Sequence, residues 1–320
     1  MKKQLQYLDR QLDRLKAFWR FIVLQSKRIK LPFFEGLSVY DVTYFFFKGL
    51  YEGAVTTRAG SISFSIFMAL FPGIIFIFTL IPFVAGENLQ QEIFELLQSI
   101  MPPGAYELAE STILDIVTIK RSQLLWITLL GSLIFATNGT LSLITNFSIT
   151  FHQIDFKNFW QQYLSAIVLT IVLAFLMMIS LGLVSLGEGF FDWLVEKRYI
   201  GEFSAIIIQW VRVIILVFTI LLAISLLYNY GPIRGKHWRL FSPGSILATS
   251  LVIVSSLAFG YYVANFAQYN KLYGSIGTLL VILLWIYINA IGLIIGFELN
   301  ASIAGAKNKQ QQEQNLMGKL

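Results

Sequence analysis

Long apolar runs dominate the chain. Six of them carry almost no charge: 61–85, 124–146, 160–186, 203–228, 243–267 and 277–303. A hydrocarbon core about 30 Å thick needs about 20 apolar residues in a helix, and each run supplies that many. Soluble core helices are shorter and keep a polar face. In lipid, backbone groups must satisfy one another, which a helix does within one segment. The pattern predicts an all-α fold, a polytopic membrane bundle of six transmembrane helices.

Other segments show helical spacing without being apolar enough to cross. Near the start, Leu5, Leu8, Leu12, Leu15, Trp19 and Ile22 recur by threes and fours, flanked by Lys2, Lys3, Arg10, Arg14, Lys16 and Arg20. This amphipathic basic arm suits the membrane surface, a site on its own fold, or a partner helix. Residues 36–57 lead into the first span, with an aromatic cluster from Tyr44 to Phe47 suited to the interface. After the first run, Leu89, Ile93, Leu96, Leu97 and Ile100 alternate with acidic and amide residues. Pro102–Pro103–Gly104 breaks that pattern, and Leu108, Ile113, Leu114 and Val117 resume it. Two short amphipathic helices capping the outer face are predicted. The chain thus divides into a basic arm (1–57), a membrane domain (58–303) and a polar tail (304–320).

Composition agrees with the pattern. Hydrophobic residues make up 56% and charged residues 13%, too little charge to cover a water-facing surface. There is no cysteine, which excludes disulfides and thiolate metal sites. Residues 1–30 lack the continuous apolar core of a cleavable signal peptide, so the first span would serve as the insertion signal.

Charge between the spans gives an orientation. With the N-terminus inside, the inner segments 1–60, 147–159, 229–242 and 304–320 hold 18 Lys and Arg, and the outer segments 86–123, 187–202 and 268–276 hold 5. The bias predicts both termini in the cytoplasm. The net charge of +6 calls for no nucleic-acid partner, because basic inner loops face anionic membrane lipids.

Charge within a bilayer is expensive and marks candidate sites. Arg212 and Glu298 stand out. Arg212 follows Phe203 by nine residues, which places it about 14 Å deep, near the midplane. Glu298 lies about 30 Å into the sixth span, near the inner boundary. That difference in depth rules out a direct pair. Arg58 enters the first span at the depth of Glu298, so an Arg58–Glu298 ion pair would staple the first helix to the last. The alternative is a proton or substrate role. Asn289 and Asn138 are the polar residues nearest in depth to Arg212. Either the three form a substrate-binding site for an anionic headgroup, or Arg212 snorkels outward.

Small residues mark close helix contacts: Gly292 with Gly296, and the stripe Ser256, Gly260, Ala264. Pro72–Gly73 predicts a kink or hinge in the first span. No repeat relates the first three spans to the last three. Enzyme motifs are lacking: there is no P-loop and no H-E-x-x-H, and His152 and His237 stand apart, the latter among Arg234, Lys236 and Arg239. No enzyme activity, catalytic residue, cofactor or metal is expected.

The stretch 228–301 carries distinctive motifs. It reads Y-N-Y-G-P from Tyr228, S-P-G from Ser242, Y-Y-V-A-N-F-A-Q-Y-N-K-L-Y-G-S-I-G from Tyr261, L-L-W-I-Y-I-N-A from Leu283 and G-F-E-L-N-A from Gly296. With T-R-A-G-S-I-S-F-S-I-F-M-A-L-F-P from Thr57, it resembles the YihY/BrkB family of bacterial inner-membrane proteins over about residues 45–303. Ser61 and Ser63 stand where that family is often Ala-rich. Arg58, Pro72, Tyr228, Pro232, Asn265, Tyr269, Tyr273, Gly274, Trp285, Gly296 and Glu298 fall on its motif. The resemblance implies a six-spanning protein with no agreed activity, once labelled ribonuclease BN. Nothing in these residues supports a nuclease. The expected function is transport of an anionic or amphipathic, lipid-like envelope molecule. The rival class is a non-transporting scaffold for envelope assembly. Substrate, energy source and oligomeric state, a homo-oligomer included, are left open.

Overall fold

The computed structural model describes residue 25 and residues 37–84, 121–150, 154, 156–196, 202–233, 240–266 and 269–317. Seven helices are named among them: α1 Val39–Glu52, α2 Val55–Val84, α3 Ser122–Ser148, α4 Phe159–Glu196, α5 Glu202–Tyr230, α6 Pro243–Phe266 and α7 Tyr269–Met317. The last six are long and apolar enough to cross a membrane. The basic arm (5–22), the two outer helices (89–117), His152 and His237 lie outside the described residues.

Local chemistry sets the helix ends. Ser38 caps α1, its hydroxyl accepting from Asp41 N at 3.1 Å. Gly53 ends α1, and its N–H donates to Gly49 O at 2.8 Å. Ala54 follows with φ of 45°, a conformation unusual without glycine. This turn lets α2 begin at once, with Arg58 N donating to Ala54 O. Ser242 caps α6 through Ser245 N at 3.2 Å, and Pro243 fills the first helical position. Through Pro72 and Gly73, α2 continues as one helix, although the ring of Pro72 removes one backbone donor.

The spans pack in chain order around a ring: α2 on α3, α3 on α4, α4 on α5, α5 on α6 and α6 on α7. Helix α7 then closes against α2 and also carries α1. Among the described residues, the main buried apolar cluster lies at one end of the ring. Its buried residues come from the first turns of α2 (Ala59, Ile62), the last turns of α3 (Leu143, Ile144, Phe147) and the last turns of α5 (Ile224, Leu227, Tyr228). The early turns of α4 and α6 and the middle turns of α7 complete it, through Ala166, Ala248, Ile294 and Phe297. We call this the proximal end. Phe147 and Phe297 stack there with centroids 4.9 Å apart, and Tyr228 meets both edge-on.

Candidate functional site: a buried ion pair at the proximal end

The first turn of α2 delivers Arg58 to the core, 2% exposed, and α7 delivers Glu298, 0% exposed. Arg58 Nη1 donates to Glu298 Oε1 at 2.6 Å and to Gly53 O at 3.1 Å. Its Nε donates to Asn146 O at 2.8 Å, at the end of α3. Thr150, just past α3, donates to Glu298 Oε2 at 2.8 Å. Both charges are therefore hydrogen-bonded as well as paired, which favours a buried pair, while Arg58 Nη2 is buried without a hydrogen-bond partner among the described residues. The site gathers α1, α2, α3 and α7 on one guanidinium–carboxylate contact.

Glycine is required beside it. A Cβ on Gly53 would sit 3.1 Å from Arg58 Nη1 and would collide with Gly49 O. The Gly53 carbonyl and the Asn146 carbonyl are parts of the site that sequence reasoning missed. Backbone acceptors leave no signature in residue identity. Thr150 was equally silent, since Thr is common near helix ends.

A second polar knot joins α6 to α7. Gly244 N donates to Asn300 Oδ1 at 2.8 Å, and Asn300 Nδ2 donates to Ser242 Oγ at 2.7 Å. Gly296 makes that approach feasible: a Cβ there would lie 2.5 Å from Ala248 Cβ and from Gly244 O. Tyr228 donates to Leu293 O at 2.5 Å. Beyond the end of α5, Pro232 O accepts from Lys157 N at 2.9 Å, and Phe156 bridges Ile233. Lys157 Nζ donates to Tyr230 O at 2.6 Å and to Ser165 Oγ at 2.8 Å. Burial lowers the proton affinity of its amine below the ordinary lysine value.

Arg212, Asn289 and Asn138 lie on α5, α7 and α3. Arg212 is half-buried on α5, whose main neighbours are α4 and α6. Asn289 accepts from Ser255 at 3.2 Å and from Ser256 at 3.4 Å on α6, and donates to Trp285 O at 2.8 Å. Trp285 Nε1 donates to Ser256 Oγ at 3.2 Å, which ties this motif residue into the α6–α7 contact. Asn138 is exposed on α3. Asn265, Tyr269, Tyr273 and Gly274 lie in α6 and α7, but their side chains are outside the described residues.

This is a multi-pass membrane protein whose first and last spans are joined by a buried ion pair. A family model described as Virulence factor BrkB matches residues 46–317, and the chain belongs to that family. It is 26% identical over 268 residues to a ribonuclease-like protein, YfkH, of Bacillus subtilis, covering 83% of this chain and 94% of the relative. It is 24% identical over 310 residues to a UPF0761 membrane protein of Alteromonas mediterranea, covering 94% and 96%. A UPF0761 membrane protein of Xanthomonas campestris is 33% identical over 81 residues, covering 25% of this chain and 19% of the relative. No solved structure matches the chain at a significant level.

Proposed function

We propose that the protein moves an anionic or amphipathic, lipid-like molecule of the envelope across the bacterial inner membrane, with the proximal end and both termini in the cytoplasm. The charge bias of the segments supports that orientation. The reading is carried by Arg212, a cation on the membrane-spanning helix α5. Arg212 lies 18 residues before Tyr230, about 27 Å from the proximal end, which puts it near the distal boundary of the span Trp210–Tyr230 and not at the midplane, beside exposed Trp210, Val211, Val213 and Ile214. A cation within the membrane can hold a phosphate or carboxylate while acyl chains stay in lipid.

The test is reconstitution in vesicles with fluorescent anionic and zwitterionic phospholipids, following their exchange between leaflets. The wild type should speed exchange of the anionic probe. Arg212→Ala should slow it about tenfold, as loss of one charge-assisted hydrogen bond implies. No acceleration by the correctly folded wild type would overturn the reading in favour of a scaffold.

A further inference from the structure

Helix α1 presents a different chemistry on each side. With about 3.6 residues per turn, Val42 and Gly49 share one face. Both are buried, and Val42 and Leu37 cluster with Ile303 and Ala306 of α7. The opposite face carries Tyr40, Tyr44, Phe47 and Tyr51, spaced by four, three and four residues. Tyr44, Phe47 and Tyr51 are 52%, 64% and 92% exposed. Tyr40 stacks on Tyr44 with centroids 6.4 Å apart. One flank holds Asp41, Lys48 and Glu52, and the other holds Phe46 and Leu50.

Four aromatics in a row on the outside of a helix need a reason. Two features at this place supply one. The turn Gly53–Ala54 separates α1 from a membrane span by two residues, and exposed Phe64, Met68 and Phe71 continue the apolar surface along α2. The charged flank gives α1 a side for water. Tyrosine suits the boundary between the two, because its ring is apolar and its hydroxyl is wet. The helix is also anchored, since the Gly53 carbonyl accepts from Arg58 of the ion pair.

We propose that α1 lies in the headgroup layer of the proximal leaflet, docked on lipid through Tyr40, Tyr44, Phe47 and Tyr51. The stripe is a collar at the point where α2 enters the membrane. It ties the position of the bilayer surface to the Arg58–Glu298 contact. This holds whether or not the protein transports anything.

The chain has no cysteine, so a single introduced one is labelled uniquely. An environment-sensitive fluorophore is placed on Phe47→Cys, on Tyr51→Cys and, as a reference, on Glu52→Cys. Each variant is reconstituted in vesicles of phosphatidylethanolamine and phosphatidylglycerol. Lipids bearing a nitroxide near the headgroup should quench the first two at least about twofold more than Glu52→Cys, as residence at headgroup level requires. Aqueous iodide should show the reverse order. Strong iodide quenching of Phe47→Cys and Tyr51→Cys would overturn the proposal, because the stripe would face water. Protection from both quenchers would also overturn it, because protein, such as a second copy, would then cover the stripe. Using two stripe positions guards against one variant disturbing the helix.

Discussion

Arg58 and Glu298 stand 240 residues apart in the chain and 2.6 Å apart in the fold. Each also serves a local element: Arg58 binds the ends of α1 and α3 through Gly53 and Asn146, and Glu298 binds Thr150. The contact is thus a clasp on the ring at the place where its last helix meets its first.

Removing one partner leaves the other charged and buried. Arg58→Met or Glu298→Met should each cost about 3–5 kcal/mol, and the double variant clearly less than their sum. Unfolding titrations in detergent measure this cycle. Additive losses would show that the two charges do not couple.

Two glycines with opposite surroundings make a matched test. Gly296→Ala forces a methyl against Ala248 and Gly244 and should destabilise by about 1–3 kcal/mol. Gly60→Ala meets nothing within 4 Å and should be neutral or stabilise by up to about 1 kcal/mol. Thermal unfolding in one detergent ranks the pair, and equal effects would contradict the packing described for α6 and α7.

Tyr228→Phe keeps the ring edge-on against Phe147 and Phe297 and deletes the bond to Leu293 O. Interhelical hydrogen bonds in membranes are worth about 0.6–1.7 kcal/mol, so a loss of that size is expected. Tyr228→Ala should cost several-fold more by emptying the aromatic core. The comparison separates hydroxyl from ring.

The Lys157 amine titrates lower in the folded chain than its ordinary 10.5. Between the lowered value and 10.5 the unfolded chain binds more protons, so this group makes stability rise with pH. Below that window its desolvation cost is fully present. Lys157→Met should flatten the slope of stability against pH there, as read from unfolding midpoints. An unchanged slope would mean that burial does not perturb the amine.

Much of the clasp was legible in the sequence. Depth in a membrane helix follows from residue number, so Arg58 and Glu298 could be matched by level. Level alone did not reveal the partners of Asn289, because it says nothing about which side of the ring a residue faces. Asn289 turns to Ser255 and Ser256. The Gly244–Gly296 approach was half visible: small residues announced a close contact, but not that Asn300 would cap α6 across it.

By itself the sequence determined the six spans, because hydropathy and length are local properties that lipid enforces one helix at a time. Tertiary structure alone decided the order of the ring, its closure of α7 on α2, and the backbone partners that surround the Arg58–Glu298 pair. Those depend on helix rotation and on backbone carbonyls such as Gly53 O and Asn146 O, which every residue possesses and no residue name reveals.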